Sequence, residues 1–253
     1  MKIVRYQDGR IIKWGMMEEG FLREMDGDPS GHFNLLSKTK KIEEVKLLSP
    51  CLPSKIVALG LNYRDHAEEV KMPLPKQPLL FLKPSTSVIG PGEGIVYPKM
   101  SKRLDYEAEL GVVIRKVAKA IPEEKAADYI LGYTCFNDVT ARDLQPKDGQ
   151  WTIAKGFDTF APMGPWIVTE IDPYHLEISS YLNGERCQHS NTKNLVFGPY
   201  QLVSYISHVM TLLPGDVIAT GTPSGIGPMA IGDRIDVMIE GIGTLSNTVI
   251  AER

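Results

Sequence analysis

Short stretches in which hydrophobic and polar residues alternate, separated by glycine and proline turns, dominate the chain. A two-residue period places successive side chains on opposite faces of an extended backbone and is typical of half-buried β-strands. We therefore predict strands in KIVRYQDGR, IIKWGMMEEG, FLREM, SKIVALG, LLFLKP, TSVIG, GIVYP, YEAELGVVIR, WTIAKGF, GPWIVTEI, EISSYLNGERCQ, GDVIATG and DRIDVMIEGIGTLSNTVI.

Helical patterns are fewer. They predict helices in LNYRDHAEEVKM, IPEEKAADYILGY and YQLVSYISHVMTLLP, and a helical linker in the charged stretch SKTKKIEEVKLL. The strands outnumber the helices and do not alternate with them regularly, which argues against a doubly wound or TIM-barrel fold. The pattern predicts an α+β fold that is mainly β.

The predicted elements divide the chain at its Pro50–Pro53 segment. Residues 1–50 hold short strands joined by Asp-Gly and Glu-Gly turns, and we predict a small N-terminal β domain there. Residues 51–253 hold the remaining elements, without an internal repeat, and are predicted to form the main domain.

Composition and charge exclude several classes of protein. Of the 253 residues, 43% are hydrophobic and 23% are charged, and the net charge of −3 gives no basic field for nucleic acid or an anionic membrane. No apolar run approaches the roughly 18 residues of a membrane span, and MKIVRYQDGR has no apolar signal sequence. The three cysteines form no CxxC pair, so we expect a protein of the reducing cytoplasm.

The strand RLDYEAELGVVIR carries acidic residues on one of its faces. Asp105, Glu107 and Glu109 follow one another at the two-residue period, and like charges so placed repel. A cation between Glu107 and Glu109 would make the arrangement tolerable, and Asp138 in GYTCFNDVTARDLQ is the best candidate for a third ligand. Three carboxylates suit a hard cation, Mg²⁺ first, with Mn²⁺ or Ca²⁺ as alternatives.

The alternative for this strand is a solvated face. In that interpretation the acidic residues form salt bridges with Lys102, Arg103 or Arg115. Charge runs are more often surface features than metal sites, and the spacing alone leaves both interpretations open.

A second candidate group lies in LNYRDHAEEVKM. On a helix, His66 and Glu69 are three residues apart and face the same way, whereas Glu68 points elsewhere. A carboxylate bonded to one imidazole nitrogen fixes the tautomer and raises the basicity of the other nitrogen, which makes a general base. The alternative is an exposed helix with an incidental His–Glu pair.

The remaining candidates are a glycine-rich stretch and two lysines. TGTPSGIG could bring backbone amides to an anion or form an ordinary turn, since no GK[ST] ending or GxGxxG is present. Lys83 and Lys155, each on a predicted strand, could reach a substrate carboxylate or simply cap a sheet edge. The sequence has no HExxH, GxSxG or papain-like cysteine motif, which disfavours serine and thiol hydrolases.

Taken together, the motifs resemble the fumarylacetoacetate hydrolase family in its short form with a single catalytic domain. GLNYRDHAEE, LFLKP, DYEAELGVVI, GYTCFNDVTARDLQ, AKGFDTFAPMGPW and TGTPSGIG follow one another in family order from about residue 55 to the C-terminus. The resemblance implies a distorted β-roll of mixed sheets for the catalytic domain, a homodimer, and a divalent metal in a central cavity. The first 50 residues resemble the small β appendage of the short bacterial members.

The resemblance also implies roles for individual residues. It makes Glu107, Glu109 and Asp138 metal ligands, and His66 and Glu69 a dyad that activates water on a lid segment. Further residues resemble positions that act on the substrate: Arg142, Gln145 and Lys83 in binding it, Thr222 in holding its carboxylate, and Lys155 in stabilising developing negative charge.

The reactions that the resemblance implies act on 2-oxo acids and 1,3-dicarbonyl compounds. We favour hydrolytic carbon–carbon cleavage of an acylpyruvate-like 2,4-dioxo acid, with oxaloacetate decarboxylation as a companion activity. The alternative is isomerisation or decarboxylation of a 2-hydroxymuconate-type diacid in aromatic catabolism. A non-catalytic ligand-binding member of the fold is the rival outside enzymes, and the His66–Glu69 pair speaks against it because binding alone needs no general base.

Overall fold

The computed structural model describes residues 1–146 and 149–253 and confirms the mainly β, α+β fold. No helix within these ranges is both long and apolar enough to cross a membrane. The helices are α1 Arg64–Glu69, α2 Thr152–Lys155 and α3 Pro199–Val209, accompanied by short 3-10 turns. The strands are β1 Lys2–Asp8, β2 Ile11–Glu18, β3 Phe21–Gly27, β4 Phe33–Lys41, β5 Lys46–Leu47, β6 Ile56–Gly60, β7 Leu79–Lys83, β8 Val88–Ile89, β9 Gly94–Tyr97, β10 Leu104–Tyr106, β11 Ala108–Ile114, β12 Ile130–Asn137, β13 Thr140–Ala141, β14 Ala161–Val168, β15 Glu177–Leu182, β16 Glu185–Asn191, β17 Val217–Ala219, β18 Gly227–Met229, β19 Arg234–Ile239 and β20 Gly243–Ala251.

The strands of the described residues form three sheets, of which the two larger are mixed and the smallest is antiparallel. The large sheet runs β4-β3-β2-β1-β14-β12-β11-β17-β6-β7, with β5 beside β1 and β8 beside β14. A second sheet runs β16-β15-β19-β20-β9, and a small one runs β13-β10-β18. Most neighbours are antiparallel, whereas β6 with β17, β8 with β14 and β9 with β20 are parallel.

The large sheet continues from the N-terminal segment into the rest of the chain. β1 pairs with β14 through Lys2↔Val168 and Ile3↔Ile167. The fully buried Ile3 packs in one hydrophobic cluster with Met163 and Ile167. Residues 1–50 therefore share both hydrogen bonds and core packing with the remaining residues, and the division into two domains stays a prediction.

The acidic stretch is buried on both faces. It consists of two strands, because the chain leaves the small sheet after Tyr106 and joins the large sheet at Ala108, with Glu107 at the crossing. In β11, Leu110 packs in one core cluster and Val113 in another. The solvated-face alternative is wrong for this stretch, since Asp105, Glu107 and Glu109 are all buried.

The prediction of a strand in WTIAKGF is wrong. Thr152–Lys155 form the single turn α2, in which Lys155 N donates to Trp151 O at 3.0 Å and Gly156 N donates to Thr152 O at 2.8 Å. Thr152 and Ile153 favour a strand locally, whereas the preceding Trp151 ring packs against Phe81 of β7, with ring centroids 5.2 Å apart, and the backbone forms a helical turn.

Two other helix predictions are wrong in part. SKTKK completes strand β4, where Phe21↔Lys41 and Leu22↔Lys40 pair with β3, so that its lysines lie on a solvated edge strand. In IPEEKAADYILGY, a 3-10 turn over Glu123–Tyr129 gives way to β12, because Ile130 pairs with Ile114 of β11. In both cases a neighbouring strand, which the local pattern does not reveal, decides the conformation.

Candidate metal centre and active site

A trio of buried carboxylates lies where β11 and β12 meet. Ala108 pairs with Asn137 in these strands, so Glu107 and Asp138 are adjacent, and Asp138 N donates to Glu107 O at 2.9 Å. One oxygen atom from each of Glu107, Glu109 and Asp138 lies within 4.8 Å of the other two. Strand pairing thus brings together carboxylates that are about 30 residues apart in the sequence.

Two lysines neutralise part of this charge. Lys155 Nζ donates to Glu107 Oε2 at 2.8 Å and to Asp138 Oδ2 at 2.5 Å. Lys83 Nζ forms an ion pair with Asp138 Oδ1 and donates to Val139 O at 3.1 Å. Both side chains are buried, so α2 and β7 each place one lysine nitrogen against the carboxylates of the centre.

Burial and neighbouring charges have opposing effects on the pKa values of the acidic and basic groups in the centre. Burial tends to raise the pKa of Glu107, but the adjacent Lys155 and Arg142 charges outweigh burial and hold the pKa below its ordinary value. Burial tends to lower the pKa of Lys155, but Asp138 and Glu107 raise it above its ordinary value. For Lys83, burial prevails and the pKa is lowered. Glu107 is therefore ionised and Lys155 protonated near neutral pH.

Glu109 differs from its two neighbours. Its Oε2 accepts a hydrogen bond from Gly221 N at 2.8 Å, whereas Oε1 is buried without a hydrogen-bond partner among the residues that the structure describes. Burial, together with the charges of Asp138 and Glu107, raises its pKa well above the ordinary value. Position 221 requires glycine for two reasons. The backbone adopts φ +96°, and a Cβ atom there would lie only 2.8 Å from Asn62 Cβ.

These observations fit a divalent cation. A buried carboxylate oxygen without a partner is costly unless a ligand completes it, and Glu109 Oε1 lies in a group of three hard oxygen donors. The donor set contains no thiolate or imidazole, which favours Mg²⁺, Mn²⁺ or Ca²⁺ over zinc. Glu107, Glu109 and Asp138 could thus hold a divalent metal.

Arg142 connects the trio to further polar groups. Its Nε donates to Asp105 Oδ2 at 2.8 Å, its Nη1 donates to Gln145 Oε1 at 2.6 Å, and its Nη2 pairs with Glu107. Asp105 is fully buried and also pairs with Arg103 at 2.9 Å. Asp105 is thus outside the acidic trio, and its bond to Nε orients the Arg142 guanidinium beside the trio.

The His66–Glu69 pair is present on α1. His66 Nδ1 lies 2.9 Å from Glu69 Oε2, and Glu69 Oε1 accepts from Gly225 N at 3.1 Å. Tyr106 donates its hydroxyl to Gly225 O at 3.1 Å. The stretch TGTPSGIG, residues 220–227, is called the glycine-rich loop below. It links helix α1, which carries His66 and Glu69, to Tyr106, which precedes Glu107.

Thr222 lies buried in the same loop. Its Oγ1 accepts a hydrogen bond from Gln188 Nε2 at 2.8 Å. Gln188, on β16, was not identified from the sequence, since a glutamine on an alternating strand carries no signal of its own. Only its four hydrogen bonds, made across three separate chain segments, single it out.

The candidate residues fall into two groups, and contacts connect the members within each group. Contacts join the trio to its cationic and amide neighbours, Lys83, Lys155, Arg142 and Gln145. Contacts through the loop join His66, Glu69 and Thr222 to the segment around Tyr106. Lys155 reaches the centre from the end of helix α2, where the sequence predicted a strand.

Two family models match the chain. The model of the fumarylacetoacetate hydrolase C-terminal domain matches residues 55–250. The model of the Rv2993c-like N-terminal domain matches residues 1–50. The first match alone covers more than half of the sequence.

Individual relatives cover the chain almost completely. An uncharacterised protein of Archaeoglobus fulgidus is 55% identical over 245 residues, which are 96% of this chain and 95% of that protein. The crystal structure of 5-carboxymethyl-2-hydroxymuconate delta-isomerase from Mycobacterium smegmatis has a TM-score of 0.94 at 42% identity, with 100% of both chains covered. Maleylpyruvate hydrolase from a Sphingobium species, in complex with manganese(II) ion and pyruvate, has a TM-score of 0.83 at 28% identity, again over 100% of both chains. An isomerase and a hydrolase therefore share this fold.

Proposed function

The chain belongs to the fumarylacetoacetate hydrolase family, and we propose that it is a divalent-metal-dependent enzyme that cleaves a carbon–carbon bond in 2,4-dioxo acids of the acylpyruvate class. The observation that carries the proposal is the buried trio Glu107, Glu109 and Asp138, with an oxygen of Glu109 that has no partner among the described residues. Lys155 and Arg142 add positive charge beside the trio, which suits an anionic substrate with two carbonyl groups.

We assign Mg²⁺ to the trio, with Mn²⁺ or Ca²⁺ as alternatives, because all the candidate ligands are carboxylate oxygens. When bound, the ion supplies a Lewis acid for the carbonyl and enolate oxygens of the substrate. The maleylpyruvate hydrolase of Sphingobium was crystallised with manganese(II) and pyruvate. Pyruvate is also the product that acylpyruvate cleavage would give.

Substrate binding is assigned to polar groups around the trio. Arg142 and Gln145, held together at 2.6 Å, present a guanidinium and an amide to the carboxylate and oxo group of the substrate. Thr222 donates its hydroxyl to the carboxylate. Lys83, which is ion-paired with Asp138, is assigned as a second lysine beside the trio in binding the anionic substrate.

His66 is assigned as the general base. Glu69 can only accept, so Nδ1 carries the hydrogen of their shared bond and Nε2 has a free lone pair. Nε2 takes a proton from a water whose oxygen adds to the C4 carbonyl carbon of the dioxo acid. The C3–C4 bond then breaks, and its electron pair remains on the pyruvate fragment as an enolate. Return of the proton from His66 to C3 gives pyruvate. One dioxo acid and one water are thereby converted into one pyruvate and one carboxylic acid.

Lys155 is assigned to stabilising the negative charge that develops during this cleavage. Its ammonium group is buried and stays protonated, because Asp138 and Glu107 raise its pKa against the effect of burial. A fixed charge in a site that excludes water needs no reorganisation as the enolate forms. Decarboxylation of oxaloacetate gives the same pyruvate enolate without attack by water, so it is a companion activity that does not need His66.

Isomerisation or decarboxylation of a 2-hydroxymuconate-type diacid is the second candidate function. The similarity to 5-carboxymethyl-2-hydroxymuconate delta-isomerase, at 42% identity over both complete chains, favours it. In the isomerisation a base moves a proton along the conjugated diacid, and no bond to water forms. A non-catalytic binding protein is the third alternative, but it gives no reason for the His66–Glu69 pair.

Turnover of three substrates with Mg²⁺ separates these functions. We expect acetylpyruvate to be cleaved to pyruvate and acetate, with slower release of CO₂ from oxaloacetate. Faster conversion of 5-carboxymethyl-2-hydroxymuconate than of acetylpyruvate would favour the isomerase. Inactivity on all three compounds, in a sample that binds Mg²⁺, would contradict the proposed enzyme and favour the binding protein.

A further inference from the structure

Gln188 makes four hydrogen bonds with its side-chain amide and is fully buried. Its Oε1 accepts from Ala108 N and from Ser180 Oγ, both at 3.0 Å. Its Nε2 donates to Thr222 Oγ1 and to Pro223 O, both at 2.8 Å. The hydrogen-bonding capacity of the amide is thus distributed over β11, β15 and the glycine-rich loop.

Backbone groups determine which way this amide points. Ala108 N–H can only donate, so it must face the amide oxygen of Gln188. Pro223 C=O can only accept, so it must face the amide nitrogen. The reversed orientation would place the amide nitrogen against the Ala108 N–H and the amide oxygen against the Pro223 C=O. It is therefore excluded.

This orientation determines the role of the Thr222 hydroxyl. Because Gln188 Nε2 donates to Thr222 Oγ1, that oxygen is the acceptor of the bond and its own hydrogen points elsewhere. Within the described residues, Thr222 Oγ1 donates to no other group. A buried hydroxyl with a free hydrogen is prepared to donate to an anion.

The same amide also holds the strand of the metal trio. Ala108 lies between Glu107 and Glu109, and its N–H is bonded to Gln188 Oε1. One rigid planar group therefore spans the distance between the backbone of the two glutamates and the hydroxyl of Thr222. A substrate that bridges the metal and Thr222 would need this distance to be fixed.

We infer that Gln188 is a positioning residue for substrate binding. It directs the Thr222 hydroxyl toward the carboxylate of a 2-oxo acid and sets its separation from the Glu107–Glu109 segment. The inference rests on the proposed function, in which Thr222 holds that carboxylate. Gln188 acts through Thr222 and has no contact with the substrate itself.

A double-mutant cycle with oxalate, a mimic of the pyruvate enolate, tests the inference by calorimetry of the Mg²⁺-loaded protein. Thr222→Val should weaken oxalate binding about tenfold or more, the value of a hydrogen bond to a charged group. Gln188→Met should weaken it by about tenfold when Thr222 is present and less than about twofold when residue 222 is valine. The matched control is Ser179→Ala, a buried serine of β15 that contacts His189 and not Gln188, and it should leave oxalate affinity unchanged.

A second variant covers the case in which Gln188→Met does not fold, since it leaves Ala108 N–H without an acceptor. Gln188→Glu keeps that acceptor but turns the Thr222 hydroxyl toward the new carboxylate. Its added charge repels oxalate equally in both backgrounds, so the repulsion cancels in the cycle. The loss of affinity should again be greater with Thr222 than with valine.

The outcomes separate this inference from the proposed function. If Gln188 substitutions weaken oxalate binding equally in both backgrounds, Gln188 has only a structural role and the inference is overturned. If Thr222→Val leaves oxalate affinity unchanged, the substrate-binding role of Thr222 fails, and the inference fails with it. A loss that depends on Thr222 supports both.

Discussion

At the scale of single residues, Glu109 has the least compensated charge of the three carboxylates. Glu107 and Asp138 share the ammonium group of Lys155, whereas Glu109 receives one backbone hydrogen bond, from Gly221. Burial, together with the charges of Asp138 and Glu107, raises the pKa of Glu109, which means that its charged form is costlier in the folded protein than in water and that a bound cation would relieve this cost. Glu109 is therefore the residue whose removal should affect metal binding most selectively.

Glu109→Gln is predicted to weaken binding of Mg²⁺ or Mn²⁺ at least about tenfold, because a neutral amide replaces a charged ligand of nearly the same shape. Isothermal titration calorimetry of the metal-free protein measures this. Glu177→Gln, at a half-exposed glutamate on β15, is the control and should bind the metal normally. A Glu109→Gln protein that bound and used Mg²⁺ as the wild type does would exclude Glu109 as a ligand.

Lys155→Met is predicted to destabilise the metal-free protein by about 3–5 kcal/mol, because two buried carboxylates lose their shared cation. Urea unfolding gives the free energy of unfolding. Lys46→Met removes a surface ion pair with Glu93 and should cost only about 0–1 kcal/mol. Equal losses in the two variants would show that Lys155 does not neutralise the acidic centre.

At the scale of elements, helix α1 and the glycine-rich loop form one unit. Glu69 bonds His66 through one carboxylate oxygen and Gly225 N through the other. The orientation of the imidazole therefore depends on the loop that also carries Thr222. Helix α1 has only six residues and is too short to be stable alone, so its contacts with the loop stabilise it.

His66→Ala is predicted to lower kcat for acetylpyruvate by at least about 100-fold, the lower bound for loss of a general base, while Mg²⁺ affinity stays unchanged. The chain offers a matched control in His175, which forms the same i,i+3 pair with Asp172 at 3.0 Å on the surface. His175→Ala should leave both quantities unchanged. Unaltered hydrolysis by His66→Ala would remove His66 from the mechanism.

Most strands follow from the sequence, but elements that depend on distant partners do not. The alternation in EISSYLNGERCQ is local and predicts a strand, and the structure divides this stretch at Asn183-Gly184 into the hairpin β15–β16. Helix α2 follows Trp151, which packs against Phe81 about 70 residues away in the sequence, and WTIAKGF read alone gives no sign of this contact. The strand end of IPEEKAADYILGY is likewise set by pairing with β11.

The same distinction holds within the candidate site. The spacing of Glu107 and Glu109 is visible in the sequence, and the His66–Glu69 hydrogen bond follows from helical geometry. The positions of Asp105 and Gln188 in the site could not be predicted, because their partners come from other strands and loops. Site residues that act through others are identified by hydrogen bonds across the fold.

At the scale of the whole molecule, the large sheet joins the N-terminal segment to the strands that carry the acidic trio. β1 pairs with β14, β14 pairs with β12, and β12 presents Asp138 at its end. Residues 1–50 match a family model of their own. In the structure, however, hydrogen bonds between β1 and β14 join these residues to the rest of the chain in one continuous sheet. The homodimer expected from the family resemblance remains a prediction.

Ile3→Ala is predicted to destabilise the entire protein by about 2–5 kcal/mol, because Ile3 is fully buried in the cluster that contains Met163 and Ile167. Thermal unfolding followed by calorimetry should show a single transition at a lower Tm. Ile11→Ala, at a side chain that is 60% exposed, should change the free energy of unfolding by no more than about 0.5 kcal/mol. A separate early transition of the N-terminal segment would contradict a shared core.

Anomalous diffraction from crystals grown with MnCl₂ and oxalate tests the metal centre most directly. A manganese peak is predicted between the carboxylates of Glu107, Glu109 and Asp138, with metal–oxygen distances of about 2.0–2.3 Å and oxalate as a further ligand. Oxalate should also accept a hydrogen bond from Thr222. Manganese bound elsewhere, or an acidic trio that stays without metal at saturating manganese, would contradict the proposed centre.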